Sequence, residues 1–253
     1  MIDPELVRTT TARLKPIAQE DAALEARFFL RHCETHPAAN RDALIERRLQ
    51  GEPLQYVLGD WEFYGLPMRT DPRALIPRPD TELLVETALS LLKGGERVLD
   101  LCCGSGCIGI AIRKHRKVSV VSADISADAL ALTRENAERN GTEIETVQSD
   151  LFDRIGGTFD LIVSNPPYLN AAEMESLEPS LRYEPRIALD GGADGLDFYC
   201  RIAAEYRNCL KPGGTLLLEI GMQEAEAVQS LFAEAEVRCD YGGRPRMVMV
   251  KNE

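Results

Sequence analysis

Basic residues are in short supply: 29 lysines and arginines stand against 41 aspartates and glutamates, a formal net charge of −12. About −2 falls on residues 1–70 and −10 on the rest. Such a balance argues against a general electrostatic grip on nucleic-acid phosphates, and no DNA partner is expected. Histidine is scarcer still, with three in 253 residues. Cys102 and Cys103 are adjacent and Cys107 follows four positions on, so the paired knuckles of a zinc site are missing and no metal is expected. The seven cysteines are odd in number, which reads as reduced thiols. No apolar run approaches a membrane span, and the opening MIDPELVRTT does not read as a signal sequence. Internal repeats and low-complexity tracts are absent. The expected protein is a cytoplasmic monomer without a membrane partner.

What is present is a chain 44% apolar and long enough for a substantial core. Its first 50 residues read as helices. EDAALEARFFLRHC sets Ala23, Ala26, Leu30 and, one position off the repeat, Phe29 on an apolar stripe, and RDALIERRLQG carries Leu44, Ile45 and Leu49. EPLQYVLGDWEFYG follows, dense in aromatics and turn residues; Trp61, Phe63 and Tyr64 are read as core, Gln55 and Tyr56 as interdomain packing. Pro77 and Pro79 hold Arg78 extended, after which Asp80 or Thr81 caps a helix running to about Leu92. We divide the chain into a helical domain, residues 1–70, and a second domain, residues 71–253.

From Arg97 short apolar runs alternate with helices. RVLDL, VSVVSAD, IETVQ, FDLIVS and TLLLEI are strand candidates, and CIGIAIRKH, SADALALTRENAERNG and GLDFYCRIAAEYRNCL are helices, the last stopped by Lys211-Pro212-Gly213-Gly214. A further helix near Glu224–Glu234 leads to EVRCDY and MVMV, which pair as closing antiparallel strands. The succession demands an α/β fold, a mostly parallel sheet with helices on both faces.

Gly104-Ser105-Gly106, after the first of these strands, allows a tight turn and close ligand approach. Gly109 is not taken as the third glycine of a dinucleotide fingerprint, and the lysine of a phosphate-binding loop is missing. Asp124 ends the second strand where a doubly wound sheet places a ribose-binding carboxylate, Ser126 being a competent cap for the next helix. Asp150, after the third strand, is placed to meet an adenine amino group with Leu151 or Phe152 beside the base. Asp100 is placed to orient the loop or to bind the amino end of a ligand. Three strand-end acids without a phosphate cradle point to a cationic adenosyl ligand, and S-adenosylmethionine meets both conditions.

Asn165-Pro166-Pro167-Tyr168 follows the strand FDLIVS. An amide side chain, a stiff proline backbone and an aromatic ring there can hold a planar NH2 group: Asn165 Oδ1 and the Pro166 carbonyl accept its protons, and Tyr168 packs against it. Together with DLxxGSG, Asp124 and Asp150, this tetrapeptide resembles the Rossmann-like S-adenosylmethionine-dependent methyltransferases that act on amide or exocyclic amino nitrogen. More narrowly, EPLQYVLGDWEFYG, LIPRPDTELLVE, VSNPPY and DYGGRPRM resemble the release factor glutamine methyltransferase family. The resemblance covers roughly Asp21 to Val250.

This resemblance implies a seven-stranded Rossmann-like methyltransferase fold with a small N-terminal helical domain for substrate recognition. It implies transfer of a methyl group from S-adenosylmethionine to the N5 nitrogen of the glutamine in the Gly-Gly-Gln motif of class 1 peptide chain release factors. The implied cofactor contacts are Asp100, Cys102, Cys103, Gly104, Ser105, Gly106, Asp124, Asp150, Leu151 and Asn165. The transfer site is Asn165, Pro166, Pro167 and Tyr168, and Arg78 and Tyr168 meet the substrate. Cys102 stands where relatives often have glycine and cannot take a positive backbone angle as freely, and Leu151 stands where an aromatic often occurs. Tyr183 and Arg186 lie in a polar loop whose glycines allow movement over a peptide. Glutamine methylation of a ribosomal protein and N6-adenine methylation of nucleic acid use similar machinery and remain open at this point.

Overall fold

The computed structural model describes residues 2–253. Four helices open the chain: α1 (Pro4–Ala18), α2 (Ala22–Thr35), α3 (Arg41–Leu49) and α4 (Leu54–Leu58). Their boundaries follow local chemistry. Asp3 and Asn40 accept backbone N–H groups at the starts of α1 and α3, and Gly59, at φ 74°, ends α4. Leu14, Ala26, Phe29, Ile45 and Val57 make a small core of their own. Ala23, expected on the apolar stripe, is exposed; the buried apolar positions of α2 run Ala22, Ala26, Phe29 and Leu30, so the stripe begins one residue earlier.

A hairpin, β1 (Asp60–Phe63) and β2 (Leu66–Arg69), follows. Its inward residues Phe63, Leu66 and Met68 pack with the core beneath the large sheet, while Trp61 lies against Phe28 of the helical unit, ring centroids 5.6 Å apart. The buried Tyr56 donates its hydroxyl to the Ala74 carbonyl at 2.7 Å. The aromatic segment therefore ties the helices to the sheet.

The remaining elements are α5 (Glu82–Leu91), β3 (Arg97–Leu101), α6 (Cys107–His115), β4 (Ser119–Asp124), α7 (Ala127–Arg139), β5 (Glu145–Gln148), β6 (Phe159–Ser164), α8 (Ala171–Glu175), α9 (Asp197–Cys209), β7 (Leu210–Glu219), α10 (Ala225–Ser230), β8 (Glu236–Cys239) and β9 (Pro245–Lys251). The seven-stranded sheet has the order β5-β4-β3-β6-β7-β9-β8. Strands β3 to β7 pair in parallel, and β9 runs antiparallel to both β7 and β8. The central strands are apolar on both faces, as a sheet covered on both sides requires, and the two large core clusters lie on its opposite faces.

Two boundaries differ from expectation. Lys211-Pro212-Gly213-Gly214 does not separate α9 from the next strand; β7 starts at Leu210, and a register shift against β6 absorbs the Pro-Gly-Gly. The last helix is short, Ala225–Ser230. Thr81, expected as a possible cap, precedes α5 after a 3-10 turn at Pro79–Thr81, and its side chain caps nothing.

Candidate active site

β3 has β4 on one side and β6 on the other, so the chain reverses its direction of sheet growth there. A crevice opens at such a switch point, beyond the carboxyl ends of the strands. It is lined by the 102–105 loop, Asp124, Asp150, Leu151, Asn165 and Pro167, with Arg78 and the Ala74–Pro77 segment opposite. Ile125 and Ile187, 47% and 53% exposed, form apolar lips.

The loop is built on three left-handed residues, Cys102 at φ 58°, Gly104 at 54° and Gly106 at 78°. Cys102 thus takes the conformation in which glycine is freer, a strain of roughly 1–2 kcal/mol for an L-residue. Leu151 does the same at φ 46°. Gly106 has no alternative, because a Cβ there would stand 2.6 Å from Thr133 Cγ2. Gly109 corrects the sequence reading: with Gly104 and Gly106 it completes a G-x-G-x-x-G spacing. A Cβ on it would come within 2.8 Å of Asp100 Oδ2 and of Ser122 Oγ, so its absence lets α6 press onto β3 and β4.

Helix α7 pins this loop. The Thr133 hydroxyl donates to the Gly104 carbonyl at 2.9 Å, and the fully buried Asn136 donates to the Ser105 carbonyl at 3.0 Å while accepting from Arg69 N at 2.7 Å. Sequence reasoning missed both. Their signal was available: Thr133, Asn136 and Asn140 recur at helical spacing on the face that should be apolar.

Asp124 accepts from Gly104 N at 2.8 Å and from Ser126 N at 2.9 Å, one bond to each oxygen. Ser126 caps α7, its Oγ accepting from Ala129 N. Burial raises the Asp124 pKa, against the pull of its backbone donors. Asp150 pairs with Arg201 of α9 at 2.8 Å. Asp100 is fully buried beneath the loop and is not part of the cleft wall. Its Oδ2 accepts from Gly109 N at 2.9 Å, Oδ1 has no partner, and burial pushes its pKa up to about 7. Of its two expected roles, the geometry favours orienting the loop.

Asn165 directly follows β6 and donates through Nδ2 to Thr81 Oγ1 at 3.3 Å. Among the described residues, neither Asn165 Oδ1 nor the Pro166 carbonyl accepts a hydrogen bond. Pro167 lines the cleft, whereas Pro166 and Tyr168 do not. The Tyr168 ring packs beside the core on the far face of the sheet, with its hydroxyl pKa pushed up to about 12, by burial first and by Glu219 second.

The polar loop after Tyr168 is held rather than loose. Gly191 N donates to the Leu169 carbonyl at 2.9 Å, and a Cβ on Gly191 or Gly195 would collide with the Tyr168 backbone at 2.7 and 2.4 Å. These glycines serve close approach, not the movement expected of them. Tyr183 donates to the Gln50 carbonyl at 2.9 Å, and Arg186 pairs with Asp190 at 3.1 Å. Arg78 pairs with Glu184, whose side chain is 1% exposed and also accepts from Ile76 N at 2.9 Å. Glu184 was not foreseen.

The charges decide which ligands fit. Each arginine of the cleft wall is neutralised: Arg73 by Asp71 and Glu135, Arg78 by Glu184, Arg201 by Asp150. No guanidinium is left spare for a phosphate, and among the described residues Asp124 has no ion-pair partner. Acceptors, apolar lips and an unneutralised carboxylate suit an uncharged adenosine moiety joined to a cation. A glycine loop at the switch point of a seven-stranded sheet, followed by an amide-presenting strand end, defines a Rossmann-like methyltransferase.

Comparisons with known proteins agree. The methyltransferase small domain family matches residues 79–178. A methyltransferase from Pyrococcus furiosus has the same fold with a TM-score of 0.58 at 19% identity, over 84% of this chain and 98% of that one. A T. thermophilus 16S rRNA methyltransferase in complex with AdoMet and guanosine also aligns with a TM-score of 0.58 at 16% identity, over 77% of this chain and 50% of that one. Release factor glutamine methyltransferases are nearer in sequence. That of Geobacter sulfurreducens is 48% identical over 75% of this chain and 68% of its own, and that of Deinococcus radiodurans 36% identical over 98% and 97%. The chain belongs to the release factor glutamine methyltransferase family.

Proposed function

We propose that this enzyme transfers a methyl group from S-adenosylmethionine to the side-chain amide nitrogen of the glutamine in the Gly-Gly-Gln motif of class 1 release factors. The observation that carries the reading is Asn165 at the end of β6, which gives its Nδ2 to Thr81 Oγ1 and lines a cleft whose chemistry suits an adenosyl cation. When bound, S-adenosylmethionine supplies a methyl carbon made electrophilic by its sulfonium.

The protein's own residues do the rest. Asp124 accepts the ribose hydroxyls with the oxygen capacity its two backbone donors leave unused. Cys102, Cys103, Gly104, Ser105 and Gly106 cradle the methionine end, and Asp100 holds that loop from below. Asp150 and Leu151 meet the adenine.

A glutamine amide is a poor nucleophile because its nitrogen lone pair is delocalised into the carbonyl. Asn165 Oδ1 and the Pro166 carbonyl accept its two N–H groups, which fixes the nitrogen toward the methyl and favours its rehybridisation in the transition state. Pro167 stiffens this clamp, and Tyr168 backs it and screens water. The N–C bond would form as the donor's methyl–sulfur bond breaks, its electron pair leaving on the sulfur as a neutral thioether; the methylated amide is then acidic enough to lose one N–H proton to water without a strong base. Arg78, held by Glu184, stands at the mouth to orient the substrate backbone. The helical unit offers the docking face for the folded release factor.

A labelled-methyl assay offering release factor, ribosomal protein and adenine-containing oligonucleotide separately, followed by mass mapping, tests the reading. Label on the Gly-Gly-Gln glutamine is expected. Label on the oligonucleotide or ribosomal protein instead would overturn it.

A further inference from the structure

Outside the residues that line the cleft, the fold gathers a donor set that the cysteine spacing did not foretell. His32 stands in the last turn of α2, and His36 follows directly after its end, one helical turn further on. Their rings stack, centroids 4.2 Å apart and planes 16° from parallel. Asp60, the first residue of β1, joins them from the hairpin. One ring nitrogen of each histidine and one carboxylate oxygen of Asp60 all lie within 4.8 Å of one another. Two of the three histidines in the chain are thus drawn to one place.

Two of these donors are aimed by partners on their far sides. His36 Nδ1 lies 3.1 Å from the His32 carbonyl, which only accepts, so the ring proton sits on Nδ1. That leaves the lone pair on Nε2, 3.9 Å from Asp60 Oδ2. The other oxygen, Oδ1, is taken by the Arg139 guanidinium at the end of α7, which turns Oδ2 toward the histidine. A ring N–H on a backbone carbonyl and a hydrogen-bonded carboxylate are the outer partners that metal-ligating residues have. A direct charge-assisted bond between His36 and Asp60 would be about 2.7–2.9 Å long. The observed gap is wider, as a bridging ion requires.

We infer that His32, His36 and Asp60 form a site for one divalent transition-metal ion of the zinc type, at the seam between the helical unit and the hairpin. Two imidazoles and a carboxylate suit zinc, whose bonds to nitrogen and oxygen are about 2.0–2.2 Å. Magnesium and calcium call for oxygen cages and are poorly served by this set. Drawing the donors in to tetrahedral spacing takes shifts on the order of 1 Å. Surface side chains can make them: His36 is 50% and Asp60 34% exposed. The same exposure leaves the fourth position to water. The ion ties α2 to β1 and, through Arg139, to α7, so it fastens the helical unit to the sheet domain. The inference is independent of the methyl-transfer reading.

Titration of the full-length chain with ZnCl2, and separately with MgCl2, followed by NMR of the histidine rings, tests it. Zinc is expected to move the His32 and His36 ring resonances, saturating at one ion per chain, and to leave those of His115 in place; magnesium moves none. His36→Ala should weaken zinc binding on the order of 100-fold, the upper end of what the loss of even an outer partner costs. His115→Ala and Cys33→Ser should not change it. Zinc at about a hundred times its Kd should raise the Tm of the wild type by roughly 5–10 °C and leave that of His36→Ala where it was. Because His36 is half exposed, the zinc-free Tm of His36→Ala should match the wild type, which separates lost binding from lost folding. Wild-type histidine rings that ignore zinc, a His115 ring that responds with the other two, or zinc binding that survives His36→Ala would each overturn the inference.

Discussion

The Asp124 carboxylate accepts the backbone amide of Gly104 at 2.8 Å, so the residue that faces the cleft also holds the glycine loop in shape. Asp124→Ala removes the ribose acceptor and frees the loop together. S-adenosylmethionine affinity is expected to fall by about 1.5–3 kcal/mol, the range for hydrogen bonds to a charged group, as measured by calorimetry. Asn165→Ala should instead depress kcat with the affinity intact. Small, equal effects of the two substitutions would refute this division.

Gly106→Ala meets two obstacles, a φ of 78° and Thr133 Cγ2 at 2.6 Å. Gly141→Ala meets only the first, since nothing lies within 4 Å of its missing Cβ at φ 60°. Chemical denaturation should show Gly141→Ala costing about 1–2 kcal/mol for the left-handed conformation alone. Gly106→Ala should cost about 1–3 kcal/mol more for overpacking.

Asp100 and Glu219 are both pushed up to about 7, with burial the largest cause in each. A carboxyl whose pKa is higher folded than unfolded binds more protons in the folded state. Stability therefore falls as pH rises between about 4 and about 7, and levels off above. Asp100→Asn should flatten that slope by on the order of 1–3 kcal/mol. Denaturant midpoints at pH 5 and pH 8 give the comparison, and an unchanged slope would contradict it.

Arg78→Ala leaves the buried Glu184 with only the Ile76 amide. Since the Arg78 side chain is 36% exposed, the loss is discounted from that of a fully buried pair to about 1–3 kcal/mol. Adding Glu184→Gln to Arg78→Ala should restore part of it, because the stranded charge is gone. A double-mutant cycle in urea measures the coupling, and additive losses would show that the pair does not act as one.

Much of the site could be read before any coordinates. Asp124, Asp150 and Asn165 were legible because each stands at or just after the end of a strand, and alternating strands and helices bring strand ends to one edge. Glu219, the last residue of β7, ends a strand at the same edge but carries no motif after it. Thr81 was legible only as a cap; that its hydroxyl instead accepts from Asn165 depends on the end of β6 lying beside it. Gly191 and Gly195 read as flexible, since nothing local reveals that the Tyr168 backbone occupies the space a Cβ would need.

By itself the sequence determined the α/β class with helices on both faces of a mostly parallel sheet, the glycine turn, the acids at the strand ends and the family, because these follow from local periodicity and short motifs. Only the tertiary structure decided which charges were already spent. Arg78, Arg73 and Arg201 meet their carboxylates across the fold, and Asn165 reaches Thr81, 84 positions away in the chain. A hydrogen bond has a direction only once both partners are in place, so which end of the Asn165 amide faces the cleft is a property of the packed sheet and not of its tetrapeptide.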